Sequence, residues 1–331
     1  MRINLPFSRR SLKAKLISRY LVVLAIGGLV TSMVGSYIVS SSIMMQARQS
    51  VDHHMATAQT IYNQQLETLK LAVQLAASGT IIPQYLTNGR PKVMHSYLEG
   101  IRKSRNFDFL TLTDRAGRAV LRVSQSGGKG DDVSSLSVVR AALSGQVAAA
   151  TEILPAGLLG NEDPLLRERA SIRIVSTPHA RPPGKSVETS GMVLIAASPV
   201  HGPGGELLGA LYGGVLLNRN FAIVDRVWEL VFKGERYEDQ DVGSVTIFEN
   251  DLRISTNVKT ASGERAVGTL ISAEVNDAVL GRGGTWQGRA FVVRDWYLSR
   301  YEPIRNFQGK TVGVLYVGRL EKAYKIGRAH V

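Results

Sequence analysis

The segments "RAFVV" and "DWYLSRY" gather Arg289, Asp295, Trp296, Tyr297, Arg300 and Tyr301 in a short stretch, and "LRISTNV" before them adds Arg253, Ser255 and Asn257 at every second position. On a strand, that spacing puts the last three on one face. An arginine fork holds a carboxylate through two parallel N–H donors, and a Trp or Tyr ring encloses an aliphatic body or a cation. Arg253, Asn257, Arg289, Asp295, Trp296, Tyr297 and Tyr301 are therefore the candidate ligand-binding residues. The chemistry points to a small organic acid first and to an amine or amino acid second. The plainer reading places Trp296 in a core and leaves the arginines solvated on an edge strand. An earlier stretch in the equivalent place, "GMVLIAAS", has no such polarity, so a second-choice site there draws on "RERASIRI", with Ser171 and Arg173.

Catalysis is not expected. The six histidines (53, 54, 95, 179, 201 and 330) lie in helices, loops or the last residues, and neither GxSxG nor HExxH occurs. His53 and His54 are adjacent, point in different directions on a helix and read as two solvated imidazoles rather than metal ligands. Cysteine is absent, which removes disulfides and thiolate metal sites. The "GPGG" at 202–205 lacks the following helix that a phosphate cradle needs. No catalytic residue, metal or cofactor is expected, and the small-molecule ligand is the expected partner.

The net charge is +13, but six of the cations precede residue 20, no acid precedes Asp52, and the remaining surplus is thinly spread. No basic stripe interleaves with aromatics, so nucleic acid is not an expected partner. Residues 20–43 form an uncharged span long enough to cross a bilayer as a helix, and too long for a cleaved leader. The basic residues 1–19 then put the N-terminus in the cytoplasm and everything after residue 45 on the far side, with the lipid bilayer as a partner.

Past the span, Val51, Met55, Ala58, Tyr62, Leu66, Leu69, Val73 and Ala76 define one helical stripe, which packs against the domain or a second copy. Pro91 opens another helix, and 45–105 is read as membrane-exit and scaffold helices. From Phe107 the pattern changes to a hairpin ("FDFLTLTD", "AVLRVS"), a helix (134–145), and three strands assigned to "RASIRIVSTP", "GMVLIAASPV" and "LLGALYGGVLL". The Pro- and Gly-rich segment 178–191 reads as a mobile connection. A connecting helix over 219–232 follows. The order then repeats: hairpin "GSVTIFEN" and "LRISTNV", helix "TLISAEVNDAVLG", and strands "RAFVV", "WYLSRYEPI" and "TVGVLYVGRL".

The repeat is also literal. At an offset of 104, Leu194, Pro199, Gly205, Gly209, Leu211, Tyr212, Gly214 and Leu216 recur as Leu298, Pro303, Gly309, Gly313, Leu315, Tyr316, Gly318 and Leu320. Chance would supply roughly one or two identities over that stretch, so two copies of one α+β module stand in tandem. Gly205 and Gly309 are expected at hairpin turns with positive φ, and the strand glycines where neighbours approach closely.

This arrangement, with "LYGGVLLNRN", "LRISTNV", "DWYLSRYEPI" and "GKTVGVLYVG", resembles the double Cache sensory region of bacterial sensor histidine kinases and chemoreceptors. The resemblance implies an α+β fold: a transmembrane helix and long N-terminal helix, then two PAS-like Cache modules with antiparallel sheets. It assigns 106–218 to a membrane-distal module and 233–323 to a membrane-proximal one. It also implies an inner-membrane protein with a periplasmic ligand sensor, a homodimer in the parent protein, and relay of a helix displacement to a cytoplasmic output. A chemoreceptor front end and a non-sensory envelope module are the alternatives. In that family a second transmembrane helix follows "LYVGRLEKAY"; here "IGRAHV" (326–331) follows and is read as a non-native tail.

Overall fold

The structure is a computed structural model that describes residues 12–88, 91–124, 130–238 and 240–325. The readings of the first leader residues and of the 326–331 tail lie outside the described residues. The chain divides into two units, Met1–Ser50 and Val51–Val331. Helix α1 (Leu12–Ala77) contributes to both. In the first unit, Arg19–Ile38 is long and apolar enough to cross a membrane, and its large side chains are exposed.

The second unit is α+β with antiparallel sheets, the class expected from the sequence. After α1 come α2 (Ile81–Asn88) and α3 (Pro91–Ser104), with Pro91 at the first helical position, where its missing N–H costs nothing. Then follow β1 (Phe109–Thr113), β2 (Ala119–Arg122), α4 (Ser137–Leu143) and β3 (Ala148–Leu154). Next come α5 (Ala156–Glu162), α6 (Pro164–Ala170), β4 (Ile172–Arg173), β5 (Val187–Glu188), β6 (Gly191–His201) and β7 (Leu207–Leu216). Helix α7 (Ala222–Phe232) leads through β8 (Arg236–Tyr237) and β9 (Gln240–Asp241) to β10 (Gly243–Glu249) and β11 (Leu252–Thr256). The chain ends in α8 (Ala273–Asn276), a π-helical turn (Asp277–Gly281), β12 (Trp286–Val292), β13 (Asp295–Arg305), β14 (Thr311–Leu320) and α9 (Lys322–Lys325).

Two five-stranded sheets carry the duplication. The first has the order β2-β1-β7-β6-β3 and the second β11-β10-β14-β13-β12, the same order strand for strand. One strand of the first sheet differs from the sequence expectation. Its fifth member is the alanine-rich "AAATEIL" of β3, which pairs with β6 along its full length, whereas "RASIRIVSTP" forms the end of α6 and the two-residue β4. Residues 155–190, carrying α5, α6, β4 and β5, are thus an insertion between β3 and β6. The second sheet has only a tight turn between β12 and β13.

Each sheet lies between two cores. Leu110, Leu112, Leu194 and Leu211 of the first sheet and Val245, Ile247, Ile254, Leu315 and Val317 of the second face a shared core, closed by α1 from Met55 onward, α2, α3 and α7. The α1 stripe of Val51, Met55, Ala58, Tyr62, Leu69, Val73 and Ala76 is buried within the chain itself. On the opposite faces, Phe109, Val193, Ile195 and Tyr212 pack under α4, α5 and α6, while Phe248, Tyr297, Tyr301, Val314 and Tyr316 pack under α8 and the π-helical turn.

His54 departs from the solvated reading. It is buried edge-on against Phe232 at 4.8 Å, and burial, with the charges of Arg319 and His53, lowers its pKa to about 4. Gly205 and Gly309 have φ of 85° and 78°, as the turns require. A methyl group at Gly209 would run into the Thr113 carbonyl, and one at Gly313 into that of Phe248, so the repeated strand glycines reflect close strand approach. The 178–191 segment is docked at its start. Thr177 Oγ1 accepts from Leu270 N at 2.9 Å, His179 O accepts from Ala273 N at 2.8 Å, and Arg181 pairs with Asp277.

Candidate functional site

A β-bulge organises the interior of the second sheet. Between β10 and β11 the register shifts after Ile247, so that Phe248 opposes Arg253 while Thr246 opposes Thr256. This breaks the alternation expected of Arg253, Ser255 and Asn257. Arg253 turns its guanidinium inward, where Nη1 donates to Thr246 Oγ1 at 3.2 Å and weakly to Thr256 Oγ1 at 3.4 Å. Ser255 instead donates to the Asn220 carbonyl at 2.6 Å.

Arg253 is only 4% exposed. Its guanidinium lies 5.1 Å from the Phe248 ring centre, and Tyr301 and Tyr316 pack against each other beside it at 4.6 Å. Among the described residues no carboxylate pairs with it, and its Nε has no hydrogen-bond partner. Burial pulls its pKa below the ordinary arginine value, opposed by the three tyrosines 301, 316 and 297. Buried charges in proteins are normally paired and hydrogen-bonded, because removing an ion from water costs several kcal/mol. A guanidinium surrounded by hydroxyls and rings, with no acid, has the donor set that matches a carboxylate.

A hollow of about 50 Å³ reaches this interior, lined by Ser244, Asn257, Val258, Val292 and Tyr297, with Arg236, Lys259 and Arg294 among its cations and Asp241 as its acid. Ser244 Oγ lies 2.7 Å from Tyr316 Oη, and Val258 N donates to Thr256 Oγ1 at 3.0 Å, so the hollow ends one residue from the Arg253 cage. That volume holds one or two waters at about 30 Å³ each. With Tyr297 where it stands, that volume is too small for most organic acids.

The seven candidate residues fall into separate places. Arg253, Tyr297 and Tyr301 share the interior. Asn257 lines the hollow, but its amide is spent on the backbone, accepting from Val245 N at 2.7 Å and donating to Gly243 O at 3.0 Å. Asp295 pairs with Lys322 at 2.6 Å. Arg289 and Trp296 lie apart, beside a second hollow of about 340 Å³ with Trp286, Phe291, His179 and Glu274. There the Arg289 guanidinium sits 4.0 Å from the Trp296 ring centre and its Nε bonds Glu321 at 2.5 Å, so the cation-binding face of Trp296 is already covered. Arg300 ties β13 to α1 through Asp52 at 2.7 Å. In the first module Arg173 is exposed on β4 and Ser171 ends α6.

Sequence reasoning missed Thr246, Thr256, Ser244 and Tyr316. Tyr316 is the repeat partner of Tyr212, and both are fully buried. That pairing was the available signal. In the first sheet Thr111 opposes both Tyr212 and Arg122, just as Thr246 opposes Tyr316 and Thr256. Both interiors therefore gather a Tyr, a Thr and an Arg.

Residues 215–330 match the family model described as single Cache domain 3, so the Cache resemblance read from the sequence is shown there. No curated protein matches the sequence. Similar solved structures include the periplasmic domain of Vibrio cholerae LuxQ, at 14% identity over 82% of this chain and 100% of that one, with a TM-score of 0.45. The sensor domain of the V. cholerae histidine kinase DctB is 13% identical over 83% and 99%, TM-score 0.45. The ligand-binding domain of the Pseudomonas aeruginosa amino acid chemoreceptors PctB in complex with L-Gln is 13% identical over 86% and 98%, TM-score 0.40.

Proposed function

We propose that this chain is the extracytoplasmic sensing region of a transmembrane signalling receptor of the sensor histidine kinase type, and that its second module binds a small organic acid. The observation that carries the reading is Arg253, a buried guanidinium with hydroxyl and aromatic neighbours and no acid of its own among the described residues. A carboxylate would accept from the fork and from Tyr316 or Thr246, and the cations at the mouth of the hollow would favour its entry. Because the hollow is small, binding would displace Tyr297 or Tyr316. Tyr316 stands on β14, whose end leads directly into α9, so the displacement has a short route toward the membrane. The Arg19–Ile38 span anchors the chain, with the basic leader on the cytoplasmic side. The protein works by binding and displacement rather than by catalysis.

The test is thermal unfolding of the whole chain in detergent micelles with formate, acetate, propionate, pyruvate or succinate, against chloride at equal ionic strength. At least one acid should raise Tm in the wild type, since a ligand that binds only the folded state stabilises it. Arg253→Met should remove that response, and Arg173→Ala should retain it. No response to any acid, or an undiminished one in Arg253→Met, would overturn the reading.

A further inference from the structure

The first module answers the same problem differently. Arg122, on β2, is 2% exposed and Glu162, the last residue of α5, is 3% exposed. Glu162 Oε1 accepts from Tyr212 Oη at 2.5 Å and from Arg122 Nε at 3.2 Å, and its Oε2 accepts from Thr111 Oγ1 at 2.6 Å. Arg122 completes its fork on Asp131, with 2.5 and 2.7 Å bonds from Nη1 and Nη2. Burial opposes the charge on Arg122, but Asp131 and Glu162 more than offset it, and its pKa is raised. The carboxyl group thus meets a Tyr hydroxyl, a Thr hydroxyl and a guanidinium. The second module gathers the same three groups around Arg253, without an acid.

Glu162 is delivered by the insertion that the second module lacks. The end of α5 is fixed from both sides: Ser124 Oγ donates to the Glu162 carbonyl, and Asp163 caps α6 by accepting from Leu165 N at 2.9 Å. The side chain therefore reaches into the sheet interior from a clamped backbone, in the position where a free acid would lie.

We propose that Arg122, Tyr212 and Thr111 form a carboxylate-binding site in the first module, and that Glu162 is its tethered occupant. A free anion reaches this site only when Glu162 is withdrawn or removed. The inference stands on the first module's own contacts and holds whether or not Arg253 binds anything.

The experiment is chemical rescue. Glu162→Ala removes a side chain whose end has the size of acetate, leaving three donors around the space. In the whole chain in micelles this variant should lower Tm by roughly 5–15 °C, as expected for breaking a buried pair in a protein of this size. Acetate or formate at about 50 mM should restore at least half of that loss, well beyond any shift in the wild type, which reports separately on the second module. In Glu162→Ala/Arg122→Met the rescue should vanish. If Glu162→Ala is unfolded in chloride, dilution from urea into acetate should yield folded protein where chloride yields none. A shift no larger than that of the wild type, rescue that persists without Arg122, or failure to refold in either salt would overturn the proposal.

Discussion

Glu188 and Glu249 share one hydroxyl: Ser190 Oγ lies 2.6 Å from Glu188 Oε1 and 2.7 Å from Glu249 Oε1. A hydroxyl carries a single hydrogen, so it cannot donate to two carboxylates at once. A proton on Glu249 resolves the geometry, with Glu249 donating to Ser190 and Ser190 to Glu188. The two environments divide the roles. Burial, with the Glu188 charge, raises the pKa of Glu249. At Glu188 burial acts the same way, but Lys185 and the donors at Ser190 and Thr189 outweigh it and lower the pKa.

The raised pKa of Glu249 fixes a sign. The folded chain holds this proton more tightly than the unfolded chain, so the group's contribution to stability falls as pH rises from the ordinary glutamate value through the raised one. Glu249→Gln keeps a donor toward Ser190 and has nothing to lose. It should be at least as stable as the wild type at pH 7, with a flatter Tm profile between about pH 4 and 8. A steeper profile in the variant would contradict the proton assignment.

Arg253 and Arg122 should respond in opposite directions to the same substitution. Arg253→Met removes a buried charge with no counter-ion and should stabilise the protein by about 1–3 kcal/mol, a gain obtained at the expense of ligand response. Arg122→Met strands Glu162 and should destabilise by about 3–5 kcal/mol. Urea unfolding of the two variants measures both, and a loss of stability in Arg253→Met would mean that its charge is compensated.

His54 should produce an acid limb. Its pKa is lowered to about 4, so the unfolded chain takes up a proton below about pH 6.5 that the folded chain refuses, and stability is lost as pH falls across that window. The effect should reach about 2–3 kcal/mol by pH 4. His54→Phe, which keeps the contact with Phe232, should flatten the Tm profile between pH 7 and 5; an unchanged slope would exclude His54 as its source.

Self-association through α1 cannot use the stripe that periodicity singles out, because those residues fill the chain's own core. Among the outward residues, Gln64, Glu67, Leu71 and Leu75 form one line, again at spacings of three and four, with Leu71 and Leu75 55% and 66% exposed. Single cysteines at these four positions should crosslink in membranes, while Leu69→Cys and Val73→Cys should not. The reverse pattern would rule out this face.

The second sheet was legible strand by strand because its segments are β-branched or aromatic and short turns join β10 to β11, β12 to β13 and β13 to β14. In the first sheet β1, β2, β6 and β7 were equally legible and only β3 was not, for a physical reason. In β3 the alanines at 148 and 150 lie in the core beneath α4, and the strand owes its existence to pairing with β6 rather than to propensity. Glu162 left no local trace either, since its partners are 40, 50 and 51 residues away in the chain. Arg253 was visible as a candidate, but its inward turn depends on a bulge that strict alternation cannot show. Arg289 and Trp296 looked like neighbours of that site because β12 and β13 are adjacent, yet they face a different hollow.

The insertion between β3 and β6 would also set a stoichiometry for the proposed binding. Two identical repeats would each take a ligand, and coupling between them would give a sigmoidal dose response. If Glu162 stays seated in one repeat and the other takes the ligand, as proposed, a chain would bind one molecule, with hyperbolic occupancy over a range set by a single affinity. The same insertion grips the second repeat through Thr177, His179 and Ser190, so any displacement in one repeat is felt against hydrogen bonds held by the other.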